Sequence, residues 1–87
     1  FEQACMWGSI VQAVWSLFLA LRVRGLGSAW TTMHILQEQE TAALLGVPFD
    51  RYTQVGLFPV AYSLGTDFSP AWRRPVSEVV GWNSFKP

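Results

Sequence analysis

Arg22-Val23-Arg24-Gly25-Leu26-Gly27-Ser28-Ala29-Trp30-Thr31-Thr32 is the stretch on which the fold turns. It closes a long, almost uncharged segment with a basic last turn. A Gly-x-Gly break follows, then a short polar and aromatic run. Gly25 and Gly27 permit backbone angles that a residue with a Cβ resists. The chain can therefore turn sharply out of a helix at this point. The peptide groups of Trp30 to Met33 are then free to lie along the edge of a flat, heteroatom-rich ring.

Upstream of the break, Glu2 to Arg24 reads as one long helix. Ala, Leu, Met, Gln and Trp dominate it, and it holds no proline. Ile10, Ala13, Val14, Leu17, Ala20 and Leu21 form one apolar stripe. Trp7, Val11, Trp15 and Phe18 form a second on another face. Two apolar faces imply two packing partners. Arg22 and Arg24 occupy the last turn, where the negative end of the helix dipole favours cations, and Gly25 is the expected C-cap. Gln3 to Leu21 is uncharged and long enough to span a bilayer. Gln3, Ser9, Gln12 and Ser16 are costly in lipid, so the expectation is a helix buried on nearly all sides, in a core or a dimer interface, with no membrane.

Downstream, residues 26–35 read as a loop. Leu36 to Leu45 reads as a short amphipathic helix closed by Gly46. Val47-Pro48 forces an extended exit. Tyr52 to Ser63, with its β-branched and aromatic residues, reads as one strand. Pro59 within it cannot donate to a ladder, which marks an edge or a bulge. Gly65 to Trp72 has turn chemistry, and Val76 to Trp82 is either a brief helical turn or an extended tail. One strand cannot satisfy its own backbone groups. A second is therefore expected from another chain or from polypeptide outside these residues.

Composition points the same way. Eighty-seven residues make at most one domain, and a chain this short buries only about 60–65% of its unfolded surface. Hydrophobic residues are 51% and charged residues only 14%, so surplus apolar surface calls for a partner. A net charge of zero gives no electrostatic case for nucleic acid. The single cysteine, Cys5, excludes an intrachain disulfide and fits a reducing, cytoplasmic setting; it is expected to pack inside. No secretory signal pattern is read, and a chain opening on Phe1 rather than Met reads as trimmed or as lacking its true start.

No side-chain constellation for acid–base or nucleophilic catalysis is visible. His34 is the only histidine, and beyond Glu38, one helical turn away, it has no supporting group. A polar residue near a helix start is the better reading. Gly25-Leu26-Gly27-Ser28 lacks the lysine of a P-loop and follows a helix, so it is an ordinary glycine exit. Arg73-Arg74-Pro75 is either an anion clamp, its guanidinium forks matching phosphate oxygens, or a solvated pair. Of the five tryptophans, core and interface packing is the common use; only Trp30, in the glycine-rich loop, stands where a ligand would be.

Taken in order, four segments resemble the C-terminal half of the FMN-dependent nitroreductase family. They are Gly8 through Ser28, Ala43-Leu-Leu-Gly-Val-Pro48, Val55-Gly-Leu-Phe-Pro-Val-Ala-Tyr62, and Arg73-Arg-Pro-Val-Ser-Glu-Val-Val-Gly-Trp82. The resemblance leans toward the actinobacterial and mycobacterial branch. Ala61 departs from the glycine the family usually has before Tyr62.

The resemblance implies an α+β, three-layer nitroreductase-like fold, of which residues 1–87 are the C-terminal part of a single domain. That part would be a long core helix, a short helix, one strand and an extended tail. It implies an obligate homodimer, with the missing N-terminal half supplying the rest of an FMN site at the interface. Arg73 would bind the FMN phosphate with Arg74 beside it. The backbone at Thr32 and Met33 would meet the N5/O4 edge of the flavin, with Trp30 and Thr31 leading into it. The activity implied is hydride transfer from NAD(P)H through the flavin to a nitro- or quinone-type small-molecule acceptor. The cofactor carries that chemistry, so no side chain need act as acid or base. Two other readings stand beside it: a flavin-binding or flavin-storing relative without turnover, or a branch that breaks FMN apart, and a non-catalytic dimerisation or interaction module.

Overall fold

The computed structural model describes residues 1–85. Helix α1 spans Glu2–Val23, close to the expected limits. Its exit is set by Gly25, whose φ of 75° lies in the left-handed region. Glycine enters that region without the steric cost other residues meet. The turn is closed by Gly25 N–H donating to the Arg22 carbonyl at 3.1 Å.

The chain leaves this turn as a strand rather than a loop. Strand β1, Leu26–Ser28, pairs antiparallel with β2, Val60–Tyr62, in the register Leu26–Tyr62, Gly27–Ala61, Ser28–Val60. The register persists beyond both strands. Ser63 N–H donates to the Gly25 carbonyl at one end, and Thr31 bridges Leu57 at the other. Two expectations are corrected here. Residues 26–35 are not all loop, and the second strand comes from this same chain, not from another.

The single strand expected over Tyr52–Ser63 is also corrected, and the reason is Pro59. Antiparallel pairs alternate between exchanging both hydrogen bonds and exchanging none. Thr31 and Leu57 exchange both, so Ala29 and Pro59, two residues along, should do the same. Proline has no N–H to donate. The ladder therefore breaks there, leaving three paired residues on one side and an isolated bridge on the other.

A 3-10 turn, Met33–Gln37, leads directly into helix α2, Glu38–Leu45. The helical region thus starts before the expected Leu36. Gly46 caps α2 with φ 70° and ψ 25°. Glu38 holds the far loop: Gln54 N–H donates to its Oε1, and Gln54 Nε2 donates to its carbonyl, both at 2.9 Å. In the tail, α3 is a single turn, Val76–Val79, with Val80 already extended.

Only Val14 and Ala42 are buried among the described residues. Ile10 and Leu21 of the first stripe and Phe18 of the second are half-buried near Val14, so the covered side of α1 draws on both stripes, while Leu17 of the first is 43% exposed. On the second stripe Trp7, Val11 and Trp15 are open, Trp15 being 61% exposed. The buried helix expected from its composition is exposed within this chain, and Cys5, expected inside, is exposed with it. By length and composition α1 also meets the criteria for a membrane span. Accessible surface is 7841 Å², against about 5,200 Å² for a folded monomer of this length. The radius of gyration is 17.7 Å, against about 12 Å for a compact chain of this size.

The left-handed exits of α1 and α2 carry a stability cost for any side chain. Nothing lies within 4 Å of a Cβ built at Gly25 or Gly46, so the cost is conformational alone. Gly25→Ala and Gly46→Ala should each destabilise the full-length protein by about 1 kcal/mol in urea denaturation. A neutral result at Gly25 would contradict the backbone path described.

Candidate functional site

The site is built where the antiparallel ladder ends. Phe58 stands opposite Trp30 in the register, and their rings meet edge to face with centroids 5.2 Å apart. Phe58 also meets Phe18 of α1 at 5.9 Å in the same geometry. Edge-to-face pairing sets the positive ring edge against a negative face. Three aromatic residues thereby join the core helix to the segment carrying residues 30–33.

Trp30 and Thr31 are committed to that joint. Trp30 Nε1 donates to the Val55 carbonyl at 3.0 Å. A Cβ added at Gly56 would lie 2.8 Å from that nitrogen, so only glycine lets the indole lie there. Thr31 exchanges both backbone bonds with Leu57, at 2.8 and 3.1 Å, and its Oγ1 donates to the Leu57 carbonyl at 2.7 Å. Neither the indole N–H nor the Thr31 peptide is free for a ligand.

Thr32 and Met33 differ. Thr32 caps the 3-10 turn by accepting from Ile35 N–H at 3.0 Å, but its own amide has no backbone partner, and neither has that of Met33. The first N–H groups of a helical turn lack internal acceptors. Both residues are exposed, and neither amide has a backbone partner within the chain.

Arg73 and Arg74 are exposed on the tail. Arg73 Nη1 donates to the neighbouring Trp72 carbonyl at 2.9 Å. No hydrogen bond or ion pair joins either arginine to residues 30–33, and no acidic side chain neutralises either one among the described residues. The structure therefore fixes Trp30 and Thr31 through the ladder and joins neither arginine to residues 30–33 by a hydrogen bond.

Two buried polar atoms lie outside what the sequence indicated. Ser28 Oγ and His34 Nδ1 have no hydrogen-bond partner. Ser28 is among the residues lining a cleft between α1 and β1, with Arg22, Ser63 and Phe68. No group of three or more His, Cys, Asp or Glu residues that could hold a metal occurs among the described residues. Glu38, one helical turn along the sequence from His34, is engaged with Gln54.

The residues present fit a planar, acceptor-edged, phosphate-bearing group in two respects. Two unpartnered amides offer hydrogen bonds at its edge, and two uncompensated guanidinium groups offer charge for its phosphate.

A long helix feeding a small antiparallel sheet makes this a mixed α+β chain with a donor-bearing loop at the ladder's end. The nitroreductase family model matches residues 2–62. The chain belongs to the nitroreductase family, an oxidoreductase family. The match runs through all of α1 and ends at Tyr62, the last residue of β2; the tail with Arg73 and Arg74 lies beyond it. No curated protein and no solved structure matches the chain.

Because Gly56 admits the Trp30 indole, Gly56→Ala should destabilise the protein by about 1–3 kcal/mol. It should also speed hydrogen exchange at the Trp30 indole N–H, read in a nitrogen-15 spectrum. Unchanged indole protection would show that the Trp30–Val55 bond is not held this way.

Proposed function

We propose that this chain is the C-terminal portion of an FMN-dependent oxidoreductase of three-layer nitroreductase-like fold. It takes reducing equivalents from NAD(P)H and delivers them to a nitro- or quinone-type acceptor in the cytoplasm. Family membership supports the oxidoreductase class. The observation that carries the flavin reading is the pair of free amides at Thr32 and Met33, presented at the end of a locked ladder.

When bound, FMN supplies the hydride and electron chemistry. The chain's own residues bind and orient. Thr32 and Met33 N–H groups donate to the acceptor edge of the ring, favouring the charge that accumulates there on reduction. Trp30 and Thr31 hold that segment rigid through Val55 and Leu57. Arg73 and Arg74 hold the phosphate with charge-assisted bonds. No acid or base is drawn from the side chains of this segment.

The open stripe of α1 and the surplus surface of about 2,600 Å² over a compact monomer support a homodimer completed by the N-terminal half of the same fold. That surplus is large even beside the area one partner gives to an obligate interface. The family match includes the whole of α1, which supports a helix covered by protein rather than by lipid.

The full-length protein should purify yellow or take up FMN, and should oxidise NAD(P)H with a nitroaromatic or quinone acceptor by ping-pong kinetics. Arg73→Ala combined with Arg74→Ala should raise the FMN Kd by about 10- to 100-fold. The same variant should leave riboflavin affinity unchanged, since riboflavin has no phosphate. A full-length protein that binds no added FMN overturns the reading.

A further inference from the structure

Arg22 lies in the last turn of α1, but its side chain serves a distant segment. Its Nη2 donates to the Thr66 carbonyl at 2.8 Å, and its guanidinium carbon sits 4.5 Å from the centroid of the Phe68 ring. Thr66 and Phe68 belong to the irregular stretch that leaves β2 and runs to α3. Among the described residues, the hydrogen bond and the ring contact that tie residues 64–74 to another element both come from Arg22; Pro75 is joined only to its own following turn, accepting from Glu78 N–H. The other side-chain bond in that stretch, from Arg73 to Trp72, is local.

The chemistry suits arginine in particular. A planar guanidinium can stack on an aromatic face while one edge donates to a carbonyl. A lysine ammonium is a point charge and cannot do both with one flat surface. Arg24, on the same turn, spends its Nη1 on the Ala20 carbonyl at 3.0 Å and does not reach the tail. The two arginines that the helix dipole alone would treat as equivalent therefore have different duties.

Four residues separate Phe68 from Arg73, and Pro70 fixes one φ among them. Pinning Thr66 and Phe68 thus sets the direction in which Arg73 and Arg74 leave the helix end. We propose that Arg22 is a positioning residue: it latches the post-β2 segment to the end of α1 and so directs the tail arginines. Its effect on cofactor affinity rests on the function proposed above; the latch itself does not.

The test uses the full-length protein. Trypsin cuts between Arg73 and Arg74, whereas the Arg74–Pro75 bond resists it. Cleavage at Arg73 without flavin, followed by mass spectrometry, therefore reads the latch. Arg22→Met should speed that cut by about fivefold by raising local opening, and Phe68→Leu, which leaves the helix untouched, should do the same. Arg22→Lys should resemble Arg22→Met, and Arg24→Met should leave the cut unchanged. In flavin titrations, Arg22→Met should lower the preference for FMN over riboflavin by about fivefold, whereas general destabilisation would weaken both equally. Unchanged cleavage in Arg22→Met and Phe68→Leu, or wild-type behaviour of Arg22→Lys, overturns the latch. Faster cleavage with an unaltered FMN-to-riboflavin preference overturns its role in directing the arginines. Faster cleavage in a protein whose wild type shows no such preference leaves the latch standing and removes the flavin reading instead.

Discussion

The Phe58 ring is the contact on which the rest of this structure depends. It meets Phe18 on one side and Trp30 on the other. It is thus the point at which the core helix, the returning strand and the donor-bearing loop are joined. Each edge-to-face pair contributes about 0.5–1.5 kcal/mol beyond the area it covers. With only two residues buried among those described, that is a large share of what fixes the loop. The adjacent Pro59 ends regular pairing, so the chain at residues 29–32 is held by aromatic contact and one bridge rather than by a continuous ladder.

Local signals were legible in the sequence, and non-local ones were not. The length of α1, its glycine exit and the Gly46 cap follow from composition and from backbone freedom at single positions. Strand β1 was hidden because it consists of Leu26, Gly27 and Ser28, a set with no β preference. It becomes a strand only because Val60 to Tyr62 returns beside it. Tyr52 to Ser63 shows the opposite error. Its residue types favour strand throughout, but Gly56 has given up its side chain to admit Trp30, and Pro59 withholds a donor.

The candidate site divides the same way. Trp30 stood out in the sequence as an aromatic residue in a glycine-rich loop, where a ligand would be. Its task is to brace: its N–H is satisfied by Val55, a partner 25 residues away that no local pattern announces. The free amides of Thr32 and Met33 follow from where the ladder stops, and that depends on pairing across the sheet. The excess of apolar residues, by contrast, was visible in composition. It reappears as the uncovered stripe of Trp7, Val11 and Trp15.

The fit between Trp30 and Gly56 has a consequence for how such chains can diverge. The indole occupies the space where a side chain at position 56 would begin, so the two positions share one volume. An alanine at 56 would also meet the Phe58 ring at 3.0 Å, so it becomes tolerable only once the bulk at 30 shrinks and that ring yields a little. Across descendants of this sequence, the pair should therefore drift together, although 26 places separate them along the chain.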